Sequence, residues 1–171
     1  YERAPENDGW DIPEDERLLR TEVAEERPRS VITRNASPDI PFDRSLNPYR
    51  GCEHGCVYCF ARPSHGYLGL SAGLDFETRL TAKPDAPAVL ERELSRKGYR
   101  PDVLAIGTNT DPYQPIEKKY RIMREILEVL EAAAHPVTIV TKSALVARDI
   151  DILSRMSERG LARVAMSVTT M

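Results

Sequence analysis

Three cysteines fall within one eight-residue run, Cys52-Glu53-His54-Gly55-Cys56-Val57-Tyr58-Cys59, and the chain has no others. The spacing is C-x3-C-x2-C. Thiolates packed this closely on a short loop suit a soft metal centre. Cysteines ligate iron–sulfur clusters, and a closed cubane takes four of them. Three from one loop leave one iron without a protein ligand, and metal centres that do chemistry keep a position open. The cysteine count therefore argues for an enzyme over an electron carrier. The same residues have other uses: a Cys3His zinc site completed by His54 or His65, a cluster closed by a fourth cysteine from another chain, free structural thiols, or a disulfide with one odd thiol. Zinc sites usually take their ligands as two separated pairs. Nothing else in the chain supports the secreted setting in which a disulfide persists.

The elements around this loop follow a strand–helix rhythm. A short strand through Leu46 leads into the loop, and Phe60 to Gly73 reads as a turn of helix followed by irregular chain. Phe76 to Lys83 alternates and predicts a strand. Pro87 opens a helix at the first-turn position that proline favours, with Val89, Leu90 and Leu94 on its buried face and Gly98 at its end. Asp102 to Thr108 is a buried apolar strand. A long helix is expected from about Glu117 to Ala134, with Ile122, Ile126, Val129, Leu130 and Ala133 forming one stripe and Pro136 stopping it. Val137 to Val140 is the next strand. Val146, Ile150 and Leu153 mark one more helix, closed at Gly160, and Val164 to Val168 is a last strand. This order predicts βαβ units on a parallel sheet, which places its chemistry at the carboxyl ends of the strands. The cysteine loop, Gly107 to Asp111, Thr141 to Ser143 and Ser167 to Thr170 would converge on one rim. A doubly wound dinucleotide-binding sheet shares the rhythm, but no G-x-G-x-x-G follows any of these strands.

The cysteine run resembles the signature of the radical S-adenosylmethionine (SAM) superfamily, C-x3-C-x-aromatic-C, with Tyr58 in the aromatic slot. The wider stretch Asn47-Pro48-Tyr49-Arg50-Gly51-Cys52 through Cys59-Phe60-Ala61-Arg62 is similar to the spore-photolyase-like branch. The likeness runs from about Ser45 to Met171. It implies an α/β fold, a partial (β/α)6 barrel of which about four parallel strands are present. It implies that Cys52, Cys56 and Cys59 bind three irons of a 4Fe-4S cluster, that SAM chelates the fourth, and that an electron cleaves SAM to a 5′-deoxyadenosyl radical. Tyr58 would lie near the adenine. Thr108, Asn109 and Asp111 would replace the Gly-Gly-Glu that often holds the SAM amino group; the bland reading is a turn built from Asn, Asp and Pro. Lys142 would pair with the SAM carboxylate. Ser143 would stand beside Lys142, or else cap the following helix. Ser167 and Thr169 resemble a ribose contact. Arg50 and Arg62 flank the loop and would tune the cluster potential, though Arg62 reads better as a surface salt bridge. The implied partners are an external one-electron reductant and a substrate that the sequence does not identify, a nucleic acid only by analogy.

Composition bounds the rest. At 171 residues with 41% hydrophobic and 30% charged, the chain has enough material for one packed domain. A net charge of −3 leaves no overall basic footprint for nucleic acid. No apolar run approaches the ~20 residues of a membrane helix, and the acidic start is not a secretion signal. A cytoplasmic protein is expected, in a compartment that keeps thiols reduced. Residues 1–34 hold ten acidic and six basic residues and three prolines. An extended or partly disordered N-terminal arm is expected over 1–44, a solvated tail or a peptide docked on a partner or on its own barrel, with the barrel portion over 45–171. The chain opens on Tyr1 and stops three residues past its last predicted strand, so it reads as a piece of a longer protein.

Overall fold

The computed structural model describes residues 20–168. The arm contributes β1 (Glu22–Glu25) and β2 (Thr33–Arg34). Then come β3 (Arg44–Leu46), β4 (Tyr49–Arg50), the cysteine loop and a 3-10 helix over Arg62–Leu68. A single turn, α1 (Asp75–Thr78), precedes β5 (Arg79–Ala82), α2 (Ala86–Leu94) and β6 (Leu104–Ile106). The rest is α3 (Glu117–Tyr120), α4 (Ile122–Ala132), β7 (Val137–Thr141), a 3-10 helix over Ala144–Asp149, α5 (Ile150–Glu158) and β8 (Ala162–Met166).

The larger sheet runs β2-β3-β6-β7-β8. Four of these strands, β3, β6, β7 and β8, are mutually parallel, and β2 is antiparallel to β3. Leu46, Ile106 and Ile139 share one register row, and all three are fully buried. They pack with Ile122, Met123, Ile126, Leu127 and Leu130 of α4 into the main core. Such strands read as nearly unbroken apolar runs because both faces of a parallel sheet are covered. The cover fails at β8, where Val164 and Met166 are exposed. Among the described residues no helix is long and apolar enough to cross a membrane.

Four expectations change. Phe76 to Lys83 is not one strand: Phe76 sits in α1, buried under the cysteine loop, and β5 begins at Arg79. β5 belongs to a separate sheet, β1-β5-β4, in which it pairs parallel with β1 and antiparallel with β4. The long helix breaks at Arg121, which adopts a left-handed φ of 56. The break lets the Glu117 carboxylate accept the Met123 N–H at 3.1 Å and so satisfy an orphan donor in the first turn of α4. It also turns the stripe, so that Met123 and Leu127 are buried and Ala133 is not. Ile150 opens α5 but is 62% exposed, and the preceding turn is 3-10.

The charged arm is extended from Arg20 onward, and it is docked on its own body. β1 lies along β5, the Arg50 guanidinium grips Glu26, and the buried Glu93 carboxylate accepts the N–H groups of Val31 and Ile32 at 3.1 and 3.0 Å. Residues 1–19, with Trp10 and the Leu18-Leu19 pair, lie outside the described residues, as does Thr169.

Candidate functional site

β4 delivers the chain into the cysteine loop through Gly51, whose φ of +73 lies in the left-handed region. A side chain there would come within 2.6 Å of Leu80 Cδ2 and 2.8 Å of Phe76 O, so only glycine makes this turn. The Cys52 N–H then donates to Phe76 O at 2.9 Å. Cys52 is buried, while Cys56 and Cys59 are half-buried. Burial pushes the Cys52 thiol up to about 11, partly offset by the nearby backbone N–H groups of His54 and Asp111. Arg62 braces the loop from outside. Its Nε donates to Cys56 O at 2.9 Å, its Nη1 to the carbonyls of Ala72 and Gly73, and its Nη2 to Glu77, with the guanidinium 5.5 Å from the Phe76 ring centroid. The side chain is 14% exposed. The ion pair that the sequence indicated is present, with Glu77, but it is part-buried and belongs to the loop's framework, because the same guanidinium also finds three carbonyls.

The facing wall comes from the ends of β3, β6, β7 and β8. Asn47, just past β3, donates to Thr108 Oγ1 at 3.1 Å and accepts the Asn109 N–H at 3.0 Å. Gly107 has a φ of +91, and a side chain there would stand 2.1 Å from Val140 O, which lets the β6 loop leave hard against β7. Asp111 is 7% exposed in its side chain and carries three donors: Thr141 Oγ1 at 2.6 Å, the Lys142 N–H at 2.8 Å and the Tyr113 N–H at 2.9 Å. It locks the β6 loop to the end of β7. Lys142 reaches back across the gap, donating to Cys56 Sγ at 2.7 Å and to Tyr58 OH at 3.1 Å. The Cys56 sulfur, and then Tyr58, hold its ammonium above the usual lysine range. Arg50, the other flanking cation, is turned to the arm.

All three cysteines, Tyr58, Thr108, Asn109, Asp111, Lys142 and Ser167 line one cavity of about 190 Å³. Ser143 does not; its hydroxyl accepts the Leu145 N–H at 3.2 Å and caps the following 3-10 helix. Among the described residues no three His, Cys, Asp or Glu side chains converge as one metal ion would demand. A cubane makes a different demand, because it spreads its cysteines over separate irons. Three thiols from one loop, facing one pocket, fit that demand. The two nearby histidines do not complete a zinc set. His54 Nε2 lies 3.5 Å from Asp111, and His65 Nε2 is spent on Arg79 O at 2.9 Å.

The family model for the radical SAM superfamily matches residues 46–171. The chain belongs to this superfamily. Radical SAM proteins typically use a 4Fe-4S cluster and SAM, and the match spans every strand end that lines the pocket. Among curated proteins, the uncharacterized protein Rv2578c of Mycobacterium tuberculosis is 43% identical over 129 residues, 75% of this chain and 38% of that protein. The uncharacterized protein MJ0683 of Methanocaldococcus jannaschii is 30% identical over 113 residues, 66% of this chain and 40% of that one. The chain thus spans about two fifths of the length of these relatives. No solved structure matches it.

Within this radical SAM chain, sequence reasoning missed the residues that hold the cysteine loop and the loop after β6 in place: Asn47, Gln114 and the bracing role of Arg62. Asn47 lay inside the stretch Asn47 to Cys52, and Gln114 between two prolines. Neither type announces a partner some 60 residues away in sequence.

Proposed function

We propose that this chain is the cofactor-binding part of a radical SAM enzyme. Cys52, Cys56 and Cys59 would hold a 4Fe-4S cluster, and SAM would bind in the same pocket. One observation carries the reading: three thiols from one loop and the polar ends of three parallel strands line a single cavity. When bound, the two cofactors supply reductive cleavage of the SAM sulfonium, with the electron coming from an external donor. The chain's own residues bind and orient. Lys142 offers the cation for the SAM carboxylate, Thr108 and Asn109 offer polar contacts held in place by Asn47, and Tyr58 offers its ring at the rim. Asp111 acts at one remove, by fixing the Lys142 backbone. A reducing cytoplasm is the setting this reading requires. The kinship with the spore-photolyase-like branch rests on the wording of Asn47 to Arg62 and fixes no substrate.

The test is anaerobic reconstitution of the chain within the full-length protein. About four irons per chain are expected, with a spectrum that changes when SAM is added and 5′-deoxyadenosine released on reduction. Replacing any of the three cysteines by alanine should abolish all three signals. Stoichiometric zinc, with no response to SAM, would overturn the reading.

A further inference from the structure

Every side-chain hydrogen bond of Gln114 goes to the backbone either side of Cys52 or to the hydroxyl that helps grip it. Gln114 is fully buried, at 0% exposure. Its Oε1 accepts the Glu53 N–H at 3.0 Å. Its Nε2 donates to Gly51 O at 3.1 Å and to Thr110 Oγ1 at 3.0 Å. The Thr110 hydroxyl in turn donates to the same Gly51 carbonyl at 2.6 Å. The pattern fixes the amide's orientation, because a backbone N–H is always a donor and a carbonyl always an acceptor. Gln114 and Thr110 therefore form a clamp that grips Gly51 on one side of Cys52 and Glu53 on the other.

The clamp is itself held. Pro112 and Pro115 flank the turn. The Asp111 carboxylate accepts the Tyr113 N–H, and the Asp111 carbonyl accepts the Gln114 N–H at 3.3 Å. A buried amide is costly unless every polar atom is satisfied. An apolar side chain would fill the same space without that demand, so packing alone does not account for glutamine here. Cys52 is the most deeply buried of the three cysteines.

We propose that Gln114, with Thr110, is a positioning residue for Cys52: it presets the backbone from which that thiolate reaches the cluster. The proposal rests on the cluster reading above. Groups that orient metal ligands from behind typically matter by about 10- to 100-fold in metal affinity.

The experiment compares full-length wild type with Gln114→Met, Gln114→Glu, Thr110→Val and Thr110→Ser after anaerobic reconstitution. Three quantities are read: the rate of cluster loss to an iron chelator, the electron paramagnetic resonance spectrum of the reduced cluster, and the melting temperature before loading. Gln114→Met removes both arms of the clamp at similar length, and about 10- to 100-fold faster cluster loss with an altered resonance is expected. Gln114→Glu keeps an acceptor for Glu53 but sets oxygen against the Gly51 carbonyl, and should fall between. Thr110→Val should weaken the cluster and Thr110→Ser should restore it. A Gln114→Met protein with wild-type cluster retention and resonance overturns the proposal. So does a uniform fall in melting temperature across all four variants, with cluster retention following it, because that is what general packing would give. Wild-type protein that takes up no iron fails one step earlier, and ends the cluster reading along with the proposal built on it.

Discussion

Asp111 separates two accounts of the pocket, and substituting it by asparagine decides between them. The carboxylate is nearly buried and accepts three donors. Its Oδ1 takes the Thr141 hydroxyl and the Tyr113 N–H, and its Oδ2 takes the Lys142 N–H at 2.8 Å. Asparagine keeps the shape and the first oxygen. It replaces the second with an amide that points donor against donor at Lys142. Leaving that backbone N–H unsatisfied, and losing a charged acceptor, costs about 1.5–3 kcal/mol. For a domain of this size each kcal/mol lowers the melting temperature by about 2–4 °C, so a fall of about 3–12 °C is expected. The SAM affinity of the reconstituted full-length protein should fall with it, since Lys142 rides on the freed backbone. Thermal unfolding and equilibrium dialysis with SAM give both numbers. An Asp111→Asn protein with an unchanged melting temperature and SAM binding weakened tenfold or more would refute this account, because the carboxylate would then be touching the ligand itself.

Three further outcomes follow from named contacts. Glu117 is fully buried and accepts Tyr49 OH, the Met123 N–H and Arg148 Nη2, so Glu117→Leu should cost about 3–5 kcal/mol in denaturant unfolding. His135 is buried between Tyr99 OH at 2.8 Å and Pro136 O at 3.0 Å, and burial holds its pKa below the usual histidine value. The unfolded chain then binds the extra proton first. His135 should therefore contribute its full stability above the unfolded value of about 6.5 and lose it as pH falls from there toward the depressed folded value, a slope that His135→Gln should flatten. Glu93→Ala frees the N–H groups of Val31 and Ile32 and the Ser30 hydroxyl, and a loss of about 2 kcal/mol from local opening should speed tryptic cleavage after Arg29 by roughly 30-fold.

The sequence was most legible where chemistry or periodicity is local. The cysteine triplet speaks through spacing alone. Leu104–Ile106, buried throughout, and Val137–Thr141, buried on one face, speak through their apolar runs. Legibility stopped where the deciding partner is distant. Nothing in Arg79–Ala82 says that its neighbours are β1 and β4 and not the parallel sheet. Nothing in the run from Glu117 says that a carboxylate will do more by capping the next turn than by continuing one helix. Asp111, Lys142 and Ser143 were recognisable as polar residues after strands. Which of them faces the pocket and which braces it is set by hydrogen bonds such as Thr141 to Asp111, 30 residues apart, and Lys142 to Cys56, 86 apart.

The three-stranded sheet ties the N-terminal segment to the entrance of the cysteine loop. β1 lies on one side of β5 and β4 on the other, and β4 passes straight into Gly51 and Cys52. Glu26 and Arg50 bolt the two outer strands together over the top of the middle one. The strand that leads into the deepest thiol and the strand that opens the described chain are thus opposite edges of one small sheet, and the Glu26–Arg50 pair ties the two edges to each other as well as to the strand between them.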